Sequence, residues 1–213
     1  MHLLNKLFQY VLITTSKYNI DESHGLNHAM NILTFANKIY ENEVIKNPYI
    51  EEHENIIYVS SVLHDMCDKK YMKQEDGLKD ISKFIQSLEK NNEKILSSKE
   101  SKIVENIVST MSYSYVKKNG FPDLGEYQFA YNIVREADLL CAYDFDRCMI
   151  YQMNKNEGNI SDAFHDAVNL FDKRMFRHMD DGLLLTDYAR NNYQFLEHQS
   201  KNRIHHWKRI LKQ

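Results

Sequence analysis

The stretch that decides the fold is Ile56-Ile57-Tyr58-Val59-Ser60-Ser61-Val62-Leu63-His64-Asp65. Ile56, Val59, Val62 and Leu63 recur at helical spacing, which predicts a helix over 51–66. That helix closes on a histidine and an aspartate, two side chains a plain apolar core does not favour. The same periodicity continues on both sides. Segment 2–18 carries Leu3, Leu4, Leu7, Val11 and Leu12. Segment 25–43 carries Ala29, Ile32, Leu33, Ala36, Ile39 and Tyr40, with Ser23 placed to cap it. Segment 76–90 carries Leu78, Ile81, Phe84, Ile85 and Leu88. Ser97-Ser98-Lys99-Glu100 reads as a capping box for a helix over about 98–112. Residues 113–123, with Gly120 and Pro122, read as an ordered loop. One helix is predicted over 125–147, and two more over about 161–179 and 184–211.

The expectation is an all-α, single-domain helical bundle over 1–213, with a core of about 20–150 and C-terminal helices of about 160–212 packed on it. A chain of 213 residues suits one domain, and six glycines and two prolines are too few for a fold rich in tight turns. A net charge of −3 supplies no field to draw nucleic acid or anionic lipid. The one basic segment, Lys201 to Lys212, reads as a solvated helix end. Leu7–Thr15 is interrupted by Gln9 and is too short to span a bilayer, so it reads as the first helix and not as a leader or anchor. Three cysteines (Cys67, Cys141 and Cys148) without CxxC spacing suit a reducing cytoplasm.

Four side chains conflict with the apolar faces that carry them. His28 shares a helix face with Ile32, Phe35 and Ile39. His64 and Asp65 follow Val62-Leu63. Asp138 lies on the stripe Val134, Cys141, Phe145. A divalent cation bound by two imidazoles and two carboxylates would offset the cost of burying both acids. Its mixed nitrogen and oxygen shell suits manganese, with Mg, Co, Fe, Ni or Zn as alternatives. A His-Asp dipeptide alone is weak evidence. With ten histidines chance supplies roughly one, and a second stands at His165-Asp166, which reads as a surface or supporting pair.

The ordered set carries more. His28-Ala-Met-Asn-Ile32, Val62-Leu-His64-Asp65 and Glu136-Ala-Asp138-Leu-Leu resemble the H…HD…D signature of the HD superfamily. Ser23-His-Gly-Leu-Asn-His28 and Leu63-His-Asp-Met-Cys-Asp-Lys-Lys-Tyr71 are similar to its small single-domain hydrolases, some of them nucleotide pyrophosphohydrolases. The run from Phe164 through Phe171, Lys173, Thr186, Ala189, Arg190 and Glu197 is similar as well. The resemblance implies His28, His64, Asp65 and Asp138 as ligands of one divalent metal. Dinuclear members take further histidines from the interval between the HD pair and the last aspartate, and none lies between Asp65 and Asp138.

A metal-activated water needs a carboxylate to manage protons. Asp68, three residues beyond Asp65, is the candidate, although related nucleotidases often carry Glu at the matching position. His24, four residues before His28, is placed for a second catalytic or substrate-side role. Lys69, Lys70 and Tyr71 are the substrate-binding candidates, with Asp76, Arg135 and Arg190 behind them. Together these imply a phosphohydrolase acting on nucleotides, either releasing pyrophosphate from dNTP or NTP or dephosphorylating a nucleoside monophosphate. Two other readings stay open: a non-catalytic module that binds a nucleotide or a protein with a structural metal, and a di-iron oxygenase on the same fold. The expected partner is a small phosphate-bearing molecule, with neither nucleic acid nor membrane. Monomer and homodimer are both compatible with the sequence.

Overall fold

The computed structural model describes residues 2–90 and 93–212. Its α-helices are α1 (Leu3–Tyr18), α2 (Leu26–Val44), α3 (Glu54–Leu63), α4 (Gln74–Gln86), α5 (Ser98–Thr110), α6 (Tyr113–Asn119), α7 (Gln128–Cys141), α8 (Phe145–Lys155), α9 (Ile160–Lys173) and α10 (Asp187–Ile210). Two two-residue strands, β1 (Glu89–Lys90) and β2 (Glu93–Lys94), pair antiparallel between α4 and α5. The chain is an all-α, single-domain helical bundle, as its periodicity predicts. No described helix is long and apolar enough to cross a membrane.

The opening stretch forms the centre of the bundle. Every residue of α3 from Ile56 to Leu63 except Tyr58 is buried. A helix that is apolar on all sides must be covered on all sides, and α1, α2, α5 and α7 supply that cover. Each fully buried aliphatic side chain contributes about 1.5–3 kcal/mol. Together α2, α3 and α7 make the core that carries the HD segment. A second apolar cluster joins Phe145, Cys148, Phe164, Phe171 and Ile204, tying α8, α9 and α10 together beside it.

Several predicted boundaries move, each for a local reason. The helix over 51–66 is shorter: residues 48–53 form a 3-10 turn and α3 stops at Leu63, so His64 to Cys67 lie in turns. Ser23 does not cap α2. It lies in a 3-10 turn capped by the Asp21 side chain, and Gly25 holds the N-cap of α2. The predicted loop 113–123 contains a helix, because the Ser112 side chain accepts from Tyr115 N at 3.2 Å and opens α6. Gly120, at φ 78°, ends α6 in a conformation that favours glycine. The helix over 125–147 divides in two. Asp144 is extended and its carboxylate accepts from Arg147 N at 3.1 Å, so α8 begins there on a new axis. The capping box at Ser97 forms as expected: Ser97 N donates to Glu100 at 2.7 Å and Glu100 N donates to Ser97 Oγ at 3.2 Å. Leu12, assigned to the apolar side of α1, is exposed.

Gly77 fixes how α4 meets the turn after α3. A Cβ built there would lie 2.7 Å from both Cα and Cβ of Cys67 and 2.8 Å from Met72 Sδ. The absence of a side chain lets the first turns of α4 pack directly on the backbone between Asp65 and Asp68.

Candidate metal centre

α2, the end of α3 and α7 bring His28, His64, Asp65 and Asp138 together. His28 Nε2 and His64 Nε2 are 3.1 Å apart. Asp65 Oδ2 lies 3.2 Å from His28 Nε2 and 3.1 Å from His64 Nε2. Asp138 Oδ1 is farther out, 3.9 Å from His28 Nε2. Ligand atoms of His28, His64 and Asp65 all fall within 4.8 Å of one another.

The chemistry of this donor set fits a cation. His64 Nδ1 lies 2.8 Å from the Ser61 carbonyl, which only accepts, so Nδ1 keeps a proton and Nε2 is the nitrogen whose proton a cation would replace. Asp65 Oδ2 is buried and, among the described residues, has no hydrogen-bond partner of acceptable geometry, despite its short distances to both rings. A buried carboxylate oxygen without a donor is costly. Two donors each about 2.1 Å from one ion, at angles of about 90–110°, are about 3.0–3.4 Å apart. The three contacts match that separation.

The electrostatics agree. Burial opposes ionisation of Asp65, but His64 and the contact with His28 hold it well below the usual carboxylate range. Asp138 is likewise lowered against burial by His64 and His28. Burial pushes His28 down to about 4, so it stays a neutral imidazole at pH 7. Burial pulls His64 the same way, yet Asp65 and Asp138 outweigh it and raise His64 to about 9. A point that attracts a proton so strongly also attracts a divalent cation. Cys141 Sγ rests 3.5 Å from His28 Nδ1, behind the ring. All three cysteines are buried and free, and burial pushes each thiol up to about 12.

The centre opens into a cavity of about 830 Å³ lined by His24, Asp68, Lys69, Lys70, residues of α6, and Arg147 and Arg174. Asp68 Oδ1 accepts from Lys70 N at 2.9 Å, and its Oδ2 is 3.4 Å from Lys70 Nζ. Tyr71 does not line the cavity; it stands behind His24. Its hydroxyl donates to Asp21 Oδ2, and Ser23 Oγ donates to Asp21 Oδ1 at 2.5 Å. With both hydroxyl protons given to Asp21, the hydroxyl oxygens are left to accept from His24 Nδ1, at 2.7 Å for Ser23 and 3.0 Å for Tyr71. His24 Nε2 is then an acceptor, 3.2 Å from Lys70 Nζ. This arrangement makes His24 a positioner of Lys70. Burial opposes it, but these hydrogen bonds keep Asp21 well below the usual carboxylate range.

Other candidates lie elsewhere. Arg135 is buried and donates to Glu136 at 3.1 Å and to the Leu183 carbonyl at 2.5 Å. Arg190 Nε donates to the Leu184 carbonyl at 2.9 Å. Asp76 is exposed beside Lys79. His165 and Asp166 are surface residues of α9: His165 Nδ1 lies 2.8 Å from the Ser161 carbonyl, and Asp166 is paired with Asn156 and Lys155. Within Glu136-Ala137-Asp138 the two acids project from different faces of α7. Asp138 faces the metal centre, and Glu136 accepts from Leu185 N, Thr186 N and Thr186 Oγ at 2.9, 2.9 and 2.7 Å. Sequence reasoning missed Asp21, Arg147 and Arg174. Asp21-Glu22-Ser23 has the look of a capped turn, and that signal could have placed Asp21 beside His24.

No family model and no curated protein matches the chain. A solved structure from Lactobacillus plantarum, a structural-genomics target, is similar to it with a TM-score of 0.70 at 16% identity, covering 98% of this chain and 96% of that one. The helical arrangement is therefore shared with another protein over nearly its whole length. At this identity the likeness concerns the fold alone.

Proposed function

We propose that this chain is a divalent-metal-dependent phosphohydrolase of the HD type that acts on nucleotides. One observation carries the reading: His28 Nε2, His64 Nε2 and Asp65 Oδ2 lie 3.1–3.2 Å apart beside a cavity lined with cationic side chains. Asp138 completes the proposed ligand set, and the mixed donors suit manganese first among the divalent metals. A cation held there would supply a nucleophile from water at neutral pH and polarise a phosphoryl oxygen. Asp68 would be the carboxylate that accepts a proton from water. Lys69 and Lys70 neutralise phosphate charge, and His24, held by Ser23 and Tyr71, aims Lys70. Buried free thiols fit a reducing cytoplasm.

The test is a screen of nucleotides and phosphomonoesters with Mn, Mg and Co that separates phosphate from pyrophosphate release. Metal-dependent release is expected from the wild-type chain, with activity and metal both lost in Asp65→Ala and Asp138→Ala. Unaltered activity in both variants would sink the assignment. A nucleotide-binding module with a structural cation draws on the double hold of Lys70 on Asp68. It predicts nucleotide binding with no turnover under any metal in the same screen.

A further inference from the structure

Arg174 follows the last turn of α9 and lines the cavity. Its guanidinium stacks on Tyr113 with 4.4 Å to the ring centroid, and its Nε is buried without a hydrogen-bond partner among the described residues. Asp181, an acid of the neighbouring segment that also contacts Tyr113, is occupied by Lys117 at 3.1 Å and Arg177 at 3.9 Å. Arg147, on the same cavity, donates to the Ser23 carbonyl at 3.1 Å. Among the described residues neither arginine forms an ion pair. The lining holds six Lys and Arg side chains against four carboxylates. Two of those carboxylates belong to the metal centre. A third, Asp144, caps α8, and the fourth, Asp68, is held by Lys70. Burial lowers Arg174 from the usual arginine value; Asp138 and Tyr113 oppose this in part, and Arg147 adds to it. A desolvated guanidinium beside a second one is unfavourable unless an anion joins them, and the planar guanidinium fork matches phosphate oxygens.

We propose that Arg174 and Arg147 form an anion subsite that takes a second phosphate group of the substrate, apart from the one at the metal ligands. What is cut there rests on the phosphohydrolase reading, whereas the anion subsite does not. It makes Arg174 a specificity determinant, favouring di- and triphosphates over monophosphates.

The experiment is calorimetric titration of the full chain with inorganic pyrophosphate in EDTA, for wild type, Arg174→Met and Arg147→Met. Thermal melts confirm folding. The expected result is pyrophosphate binding by wild type that weakens at least tenfold in each variant, with the Tm of Arg174→Met equal to or above wild type because a buried unpaired charge is gone. Absence of binding by wild type, or equal binding by Arg174→Met, overturns the subsite. So does weaker Mn binding by Arg174→Met with pyrophosphate binding unchanged, since Arg174 would then only support Asp138. Failure of the two readings is distinguishable. Arginine-dependent binding with no turnover of any nucleotide leaves the subsite and removes the hydrolase. Turnover with arginine-independent pyrophosphate binding does the reverse.

Discussion

Substituting Gly77 by alanine should destabilise the protein, against the usual sign for a helical glycine. Intrinsic propensity favours alanine over glycine in a helix interior by about 0.8–1.0 kcal/mol. The new Cβ, however, would stand 2.7 Å from Cα and Cβ of Cys67 and 2.8 Å from Met72 Sδ. Met72 can move its thioether, but the Cys67 Cα cannot move alone. Overpacking of this kind costs about 1–3 kcal/mol. The net effect is a loss of up to about 2 kcal/mol, or up to about 4–8 °C in Tm at roughly 2–4 °C per kcal/mol for a chain of this size. Because Cys67 sits between Asp65 and Asp68, the strain falls on the proposed metal centre. Metal-dependent turnover should therefore drop by more than the change in folded fraction explains. Thermal melts and nucleotide hydrolysis on the same preparation read both quantities. A higher Tm with unchanged turnover would refute the close packing of α4 on the turn.

Other consequences concern the buried polar groups. Burial pushes Glu136 up from the ordinary glutamate value, yet its near contacts are all donors, so it is held as a carboxylate. Glu136→Gln turns one acceptor into a donor and strips Arg135 of its counter-charge. It should cost about 3–5 kcal/mol in chemical denaturation, and a loss under about 1 kcal/mol would contradict this account. His178 is fully buried, both ring nitrogens lack hydrogen-bond partners among the described residues, and burial pushes it down to about 3. Between that value and its unfolded value of about 6.5 the unfolded chain binds one more proton, so stability falls as pH falls, by about 1.4 kcal/mol per unit. His178→Leu should lose that share of the slope of ΔG between pH 6 and 4; an unchanged slope would contradict it. Asp68→Asn should keep its metal and lose about 10²–10⁴ in turnover. Wild-type turnover in this variant would remove Asp68 from the chemistry.

The parts of the molecule legible in the sequence are those set by periodicity and local caps. The run from Ile56 to Leu63 announces a covered helix, and Ser97 and Glu100 announce a helix start. His28, His64, Asp65 and Asp138 were legible together because His28 and Asp138 interrupt apolar helix faces and His64-Asp65 directly follows one, and apolar faces meet in the core. What escaped depends on signals of another kind. Asp144 breaks 125–147 through a cap inside an apolar stripe, where periodicity alone runs on. Ser112 opens α6 just before Gly120 and Pro122, which read as loop. Asp68 was placed by helical spacing, whereas α3 has already ended and turns carry it to the cavity. Arg147 and Arg174 stand out by forming no ion pair among the described residues, a tertiary fact that no spacing encodes.

The central claim is that His28, His64, Asp65 and Asp138 hold one divalent metal. Equilibrium dialysis of the full chain against Mn, followed by elemental analysis, tests it most directly. The account predicts one tightly held equivalent per chain, lost in His64→Ala and in Asp65→Ala while both variants remain folded. No retained metal in the wild type, two equivalents per chain, or wild-type metal content in both variants would contradict it.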